Sequence, residues 1–231
     1  MKEPPSHRPI RSFVRREGRM TGGQRRALEQ LLPRFGLDPQ AGVWDLRQAF
    51  GREAPRFADI GFGAGESLLK MARTRPEHDF IGVEVHRPGV GRLLLELERA
   101  GLTNVRVVCA DAVEVLSANL APGSLSGAYL FFPDPWHKKR HHKRRLVRPE
   151  FVHLVSTRLA IGGRLHMATD WEDYAQHMLT LLNAEATLVN AAADGPFARR
   201  GERPQTKYEQ RGERLGHRVR DLVFERGGDR K

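Results

Sequence analysis

From Arg56 onward, short apolar runs alternate with stretches of helical periodicity. Phe57-Ala58-Asp59-Ile60 has the make-up of a buried strand, and 67–74 follows as a helix with Leu68, Leu69 and Ala72 turned inward. Residues 80–85 form the next strand, and a helix from about 89 to 100 presents Val90, Leu93, Leu94 and Leu97 on one face. Residues 105–109 and 128–132 give a third and a fourth strand. Pro149 suits the first turn of a helix over 149–160, which stops before Gly162-Gly163. Residues 164–169 are a fifth strand and 171–184 the helix after it, while 205–226 reads as a loop closing in a last strand, 219–224. Strands apolar on both faces and separated by helices predict a doubly wound α/β fold with an open, mostly parallel sheet.

Residues 1–26 lack apolar periodicity, and Pro4, Pro5, Pro9, Gly18, Gly22 and Gly23 interrupt an arginine-rich stretch. They read as a flexible basic arm ahead of one domain, 27–231. At 231 residues the chain buries a core without staples, and a single cysteine, Cys109, excludes a disulfide framework or a multi-cysteine zinc site. Cys109 itself ends a strand and reads as core. No apolar run approaches the length of a membrane span, and the N-terminus lacks the apolar centre of a signal peptide, so the expected setting is cytoplasmic.

Charge is sorted along the chain. Residues 2–26 hold 8 basic and 2 acidic groups, 138–148 hold 7 and none, and 199–231 hold 11 and 6. These segments together carry +18 of a net +11, so the rest of the chain carries −7. An arginine bias alone would not separate the signs in this way. A polyanionic partner for the basic segments is the expectation.

Asp59-Ile60-Gly61-Phe62-Gly63-Ala64-Gly65 lies where the first strand meets the first helix. Gly61, Gly63 and Gly65 permit a tight turn and close approach of a ligand to the backbone. The spacing differs from the G-x-G-x-x-G of dinucleotide sites, and Asp59 on the strand suits a cationic ligand end better than a pyrophosphate. Glu84 ends the second strand, where a carboxylate accepts ribose hydroxyls, and Asp111 follows the third, placed for an adenine amino group. Taken singly, Asp111 also suits a helix cap and Glu84 a surface charge. Together the acids around a triple-glycine turn point to S-adenosylmethionine.

Phe131-Phe132-Pro133-Asp134-Pro135-Trp136 follows the fourth strand, and His137-Lys138-Lys139-Arg140-His141-His142-Lys143-Arg144-Arg145 runs on from it. Pro133 and Pro135 restrict Asp134, which borders the crevice beyond the strand ends. Trp136 is placed to stack on a base, or else to end the strand as core. The histidines stand among cations with no cysteine nearby, so no metal is expected.

These motifs resemble the bacterial tRNA (guanine-N7-)-methyltransferases. The likeness extends to Arg11-Ser12-Phe13, to Ala168-Thr169-Asp170-Trp171-Glu172 and to Thr206-Lys207-Tyr208-Glu209. It implies a seven-stranded class I methyltransferase fold that uses S-adenosylmethionine to methylate the variable-loop guanosine of tRNA. By motif, the cofactor contacts would be Asp59, Gly61, Gly63, Gly65, Glu84, Asp111 and Asp134, with Asp134 also catalytic. Substrate contacts would be Lys138, Asp170, Thr206, Lys207, Tyr208 and Glu209, and RNA contacts Arg140, His141, His142, Lys143, Arg144 and Arg145. The family usually carries glutamate where this chain has Asp59, which shortens the reach by one methylene.

Guanine N7 carries a free lone pair, so alignment matters more than a base, and a carboxylate can stabilise the positive charge that develops. Either Asp134 or Asp170 suits the N1–H and amino edge of guanine. A nicotinamide oxidoreductase conflicts with the glycine spacing and with Asp59. A non-catalytic RNA-binding protein would need none of the four carboxylates. A methyltransferase acting on DNA or a small molecule is the remaining alternative, although exocyclic-amine enzymes typically carry N-P-P-aromatic after the fourth strand. Monomer and homodimer are equally compatible with the sequence.

Overall fold

A computed structural model describes residues 18–228, with the side chains of Lys207 and Tyr208 outside that description. In chain order the elements are α1 (Gly22–Gln30), α2 (Leu32–Phe35), α3 (Leu46–Phe50), β1 (Arg56–Ile60), α4 (Glu66–Thr74), β2 (Asp79–Val83), α5 (Arg87–Ala100), β3 (Val105–Val108), α6 (Ala112–Ala118) and β4 (Leu125–Phe131). A 3-10 helix (Lys139–Arg144) precedes α7 (Pro149–Arg158), β5 (Leu159–Thr169), α8 (Glu172–Ala184), β6 (Leu188–Asn190), α9 (Lys207–Arg214) and β7 (Arg220–Arg226). The strands form one sheet in the order β3-β2-β1-β4-β5-β7-β6. β1 to β5 are parallel, and β7 runs antiparallel between β5 and β6. The order reverses at β1, which puts a crevice between the carboxyl ends of β1 and β4.

Side-chain alternation divides the core in two. Ala58, Ile60, Ile81, Val83, Ala128 and Leu130 pack with α6, α7 and α8 on one face. Phe80, Val105, Val107 and Tyr129 pack with α1, α4 and α5 on the other. Period-2 alternation in strands flanked by amphipathic helices produces this layering without any further instruction. None of the helices among the described residues is long and apolar enough to cross a membrane.

Several segments depart from the expectation. The basic arm read over 1–26 falls mostly outside the described residues; within them, α1 starts at Gly22, inside the segment read as flexible. Thr21 and Gln24 cap it reciprocally, and Gly91 of α5 leaves room for the backbone of Gln24. The helix read as 149–160 stops at Arg158, because Leu159 already pairs with Leu125 at the start of β5.

Candidate active site

β1 runs into a turn in which Gly61, Gly63 and Gly65 all take positive φ, +72°, +59° and +78°. That conformation is open to glycine and strained for most other residues. The Gly63 N–H donates to Glu84 Oε2 at 2.8 Å, while Glu84 Oε1 accepts from the N–H groups of Val85 and His86 at 2.7 and 2.9 Å. The Glu84 carboxylate is therefore fixed by three backbone donors. Gly89, in the first turn of α5, has no side chain to mark it as part of the site. A Cβ there would stand 2.1 Å from the Gly63 carbonyl oxygen, so helix and turn meet backbone to backbone. Pro88-Gly89 at a helix start is the only trace of this in the sequence. Gly89→Ala is expected to displace the turn, lowering stability by about 1–3 kcal/mol. It should also weaken S-adenosylhomocysteine binding about tenfold or more in calorimetry, because the displaced peptide belongs to the cavity wall.

Beyond the strand ends lie two adjoining cavities that share Gly61, Phe131 and Phe132. The larger, about 480 Å³, is bordered by Glu84, Asp111, Asp134 and Trp136. The smaller, about 320 Å³, is bordered by Asp59, Gly63, Phe62 and Thr206. Six of the seven predicted cofactor positions thus converge. Gly65 lies outside both linings: it caps α4, and a Cβ on it would meet Leu93 at 2.7 Å, so its task is close packing of helix on helix. Asp111 is both a cavity residue and the cap of α6, accepting from the Val113 N–H at 2.8 Å. Asp59 is 2 % exposed. Burial, and secondarily the negative charge of Glu84, push its pKa from 3.8 up to about 7.

The carboxylates suit S-adenosylmethionine, which offers an ammonium group, a sulfonium and ribose hydroxyls. Nothing stands within 4 Å of where a Cβ on Gly61 or Gly63 would project, which leaves the turn open to a ligand.

Between β4 and the basic block the backbone is strained. The Phe132 N–H donates to the Ala168 carbonyl at 2.7 Å, extending the β4–β5 pairing by one residue. Phe132 and Trp136 then take φ of 55° and 50°, the only non-glycine residues with positive φ among those described. Such positions cost of order 1–3 kcal/mol each and survive only where their surroundings enforce them. Pro133 and Pro135 fix the backbone between them. Asp134, exposed on the wall of the larger cavity, accepts from the Trp136 N–H at 3.3 Å.

A family model described as "Putative methyltransferase" matches residues 53–222. The tRNA (guanine-N(7)-)-methyltransferase of Alkalilimnicola ehrlichii is 62% identical over 219 residues, 94% of this chain and 92% of that protein. That of Methylococcus capsulatus is 58% identical over 225 residues, 97% of this chain and 96% of its own. The chain belongs to the tRNA (guanine-N7-)-methyltransferase family. The 16S rRNA methyltransferase KamB shares the fold, with a TM-score of 0.57 over 80% of this chain and 95% of that one at 15% identity.

The basic block of this chain is not uniform. Lys138, Lys139, Arg140 and Lys143 are exposed, while His141, His142 and Arg144 are half-buried. Burial and the charges of Arg140, Arg144, Lys138 and Lys143 hold the His141 pKa below its ordinary value. Arg144 lies over the Trp136 ring at 5.1 Å and His141 meets its edge, so a guanidinium covers one face of the indole, which also borders the larger cavity.

Arg145 is a correction. Its side chain is 3% exposed, out of reach of a phosphate. Nε donates to the Pro135 carbonyl at 3.0 Å, Nη2 to Asp173, and the guanidinium lies 4.6 Å above the Tyr174 ring. It turns inward because Leu146 and Val147, next in sequence, enter the core.

The C-terminal motif is helical where a loop was expected. Thr206 caps α9: its hydroxyl accepts from the Glu209 N–H at 3.1 Å, and Glu209 Oε2 accepts from the Thr206 N–H at 3.3 Å. Thr206 also faces the smaller cavity. Glu209, expected at the substrate, is buried: both oxygens are held by Arg203 at 2.8 and 2.9 Å, with the Thr206 N–H and Arg200 as further donors, so a substrate contact there would compete with a buried ion pair. Lys207 and Tyr208 open the helix, their side chains outside the described part. Asp170, half-buried at the end of β5, faces His217 at 3.3 Å.

Proposed function

We propose that the protein methylates N7 of the variable-loop guanosine of tRNA, working in the cytoplasm with S-adenosylmethionine as methyl donor. The observation that carries the reading is the position of Asp134. It stands on the wall of the cavity shared with Glu84 and Asp111, beside the exposed cations Lys138, Lys139, Arg140 and Lys143.

S-adenosylmethionine, when bound, supplies a methyl group activated by a sulfonium. Glu84 and Asp111 offer acceptors for its hydroxyl and amino hydrogens, and Asp59 offers a carboxylate for its cationic end. Guanine N7 attacks with a lone pair that is already free, so the chain supplies alignment instead of a general base. As the purine gains positive charge, the Asp134 carboxylate stabilises it. Asp134 or Asp170 accepts the N1–H and amino hydrogens of guanine, an edge adenine does not present. The exposed cations meet phosphates, giving affinity that falls steeply with salt.

The raised pKa of Asp59 gives a pH dependence with a definite sign. Below about 7 the group is protonated and must release its proton to meet a cationic ligand end. Affinity for S-adenosylhomocysteine should therefore rise by up to about tenfold per pH unit on approach to 7 and level off above it. Calorimetry across pH 5.5–8.5, on the order of one titration per half unit, checks this; Asp59→Asn should flatten the profile. Stability has the opposite slope: a carboxyl with a raised folded-state pKa stabilises the fold most below 3.8, and that contribution is lost as pH rises towards 7.

The activity is tested by incubating labelled S-adenosylmethionine with bulk tRNA and identifying the labelled nucleoside. Label in 7-methylguanosine supports the reading. Label on an exocyclic amine or a ribose, or no label at all, contradicts it.

A further inference from the structure

We infer that Arg203 is a positioning residue for the reaction: it holds the strained 132–136 turn and the α9 cap in one rigid piece. The inference rests on the proposed methylation of guanine N7.

Phe57, Tyr129 and Phe131 form an aromatic row on the sheet face that also carries α4 and α5, with Phe57 and Tyr129 stacked at 5.7 Å and Phe131 tilted against Tyr129 at 5.4 Å. Arg203, in the segment leading into α9, lies over the end of this row. Its guanidinium carbon is 5.5 Å from the Phe131 ring and 5.6 Å from the Phe132 ring. Its side chain is completely buried.

The polar groups around it are all accounted for. Nε and Nη2 donate to the two oxygens of Asp221 on β7, at 2.6 and 3.0 Å. Nη1 and Nη2 donate to the two oxygens of Glu209, at 2.8 and 2.9 Å, and Nη1 reaches the Pro204 carbonyl at 3.4 Å. All five N–H groups of the guanidinium are in use, a pattern that lysine, with three donors and no planar fork, does not reproduce. His166 on β5 approaches Asp221 at 2.8 Å and Arg200 approaches Glu209 at 3.5 Å, so each carboxylate has a second basic neighbour.

A buried ion network of this kind is a poor source of stability, since desolvation offsets most of the attraction. What it provides is geometry. Glu209 is the third residue of α9 and accepts from the N–H of its cap, Thr206, and Thr206 borders the smaller cavity together with Phe132 and Gly61. Phe132 is one of the two strained residues beside Asp134. One side chain thus ties β7, the α9 cap and the strained turn together, while Glu84 and Asp111 are held by backbone donors of their own and make no contact with it.

The test uses the full chain with Arg203→Lys, Phe132→Leu and the double variant. Folded fraction is followed by thermal unfolding, S-adenosylhomocysteine affinity by calorimetry, and kcat and KM by N7 labelling of tRNA. Arg203→Lys should lower kcat per folded molecule at least tenfold, with KM for tRNA and the calorimetric affinity within threefold of wild type. Phe132→Leu leaves every ion pair in place and should lower kcat at least fivefold, which keeps the inference testable if the lysine variant does not fold. The double variant should fall no further than the worse single one, because both remove the same contact. Full kcat in either single variant, loss that only follows the folded fraction, or effects that multiply would overturn the positioning role. A wild type that labels no N7 contradicts the functional reading itself, independently of Arg203.

Discussion

Asp134→Asn is expected to lower kcat for N7 methylation by about 10²–10³-fold while leaving S-adenosylhomocysteine affinity within a few-fold of wild type. The asymmetry follows from the layout of the crevice. Glu84 is fixed by three backbone donors and Asp111 by the cap of α6, and neither depends on Asp134. Asp134 is exposed, with a single long hydrogen bond from the Trp136 N–H, so its carboxylate remains available to a ligand. Asparagine keeps the size and the turn but removes the charge that opposes the developing positive purine. A general loss of binding would appear in calorimetry as well as in turnover. Near-normal kcat in Asp134→Asn would remove Asp134 from the reacting centre.

Arg145→Met is expected to lower kcat at least about tenfold and stability by about 2–3 kcal/mol, without changing the salt dependence of tRNA binding. The guanidinium braces the strained turn through the Pro135 carbonyl and packs on Tyr174, so its loss lets the turn relax away from the conformation that presents Asp134. Asp173 keeps most of its exposure and is left solvated, which limits the stability loss; its pKa, held below the ordinary value chiefly by the Arg145 hydrogen bond, should return upward. Arg140→Ala is the contrasting variant. An exposed cation of this kind should weaken binding and reduce the slope of log K against log salt by about one, with kcat at saturating tRNA preserved. Filter binding over a range of salt, beside single-turnover labelling, separates the two; a reduced slope in Arg145→Met would return that residue to the RNA surface.

The parts of the site legible in the sequence are those where residue type alone states the task. Acids at the ends of β1, β2 and β3 and glycines after β1 have few other reasons to occur together, and the structure brings them to one crevice. The parts that escaped depend on direction instead of identity. Arg145 is one more cation in a run of cations until Leu146 and Val147 pull it inward. Glu209 is an acid in a polar segment until Arg203, six residues earlier, closes on it. Gly89 matters only because α5 lands on the Gly63 carbonyl, a contact between segments that nothing local encodes. Two helix starts do carry a local signal. Thr21-x-x-Gln24 and Thr206-x-x-Glu209 both have the spacing of a reciprocal cap, and α1 and α9 start where that spacing puts them. The strain at Phe132 and Trp136 had a fainter signal: two prolines around one acid restrict the chain without saying which neighbours absorb the turn.

The reaction assigned to this crevice is tested most directly on the nucleophile itself. A tRNA carrying 7-deazaguanosine in place of the variable-loop guanosine keeps the Watson–Crick edge, the stacking face and the phosphates, but has carbon at position 7. The account predicts binding within a few-fold of the unmodified tRNA and no methyl transfer. Methylation of the 7-deaza tRNA at the rate of the unmodified one would contradict it.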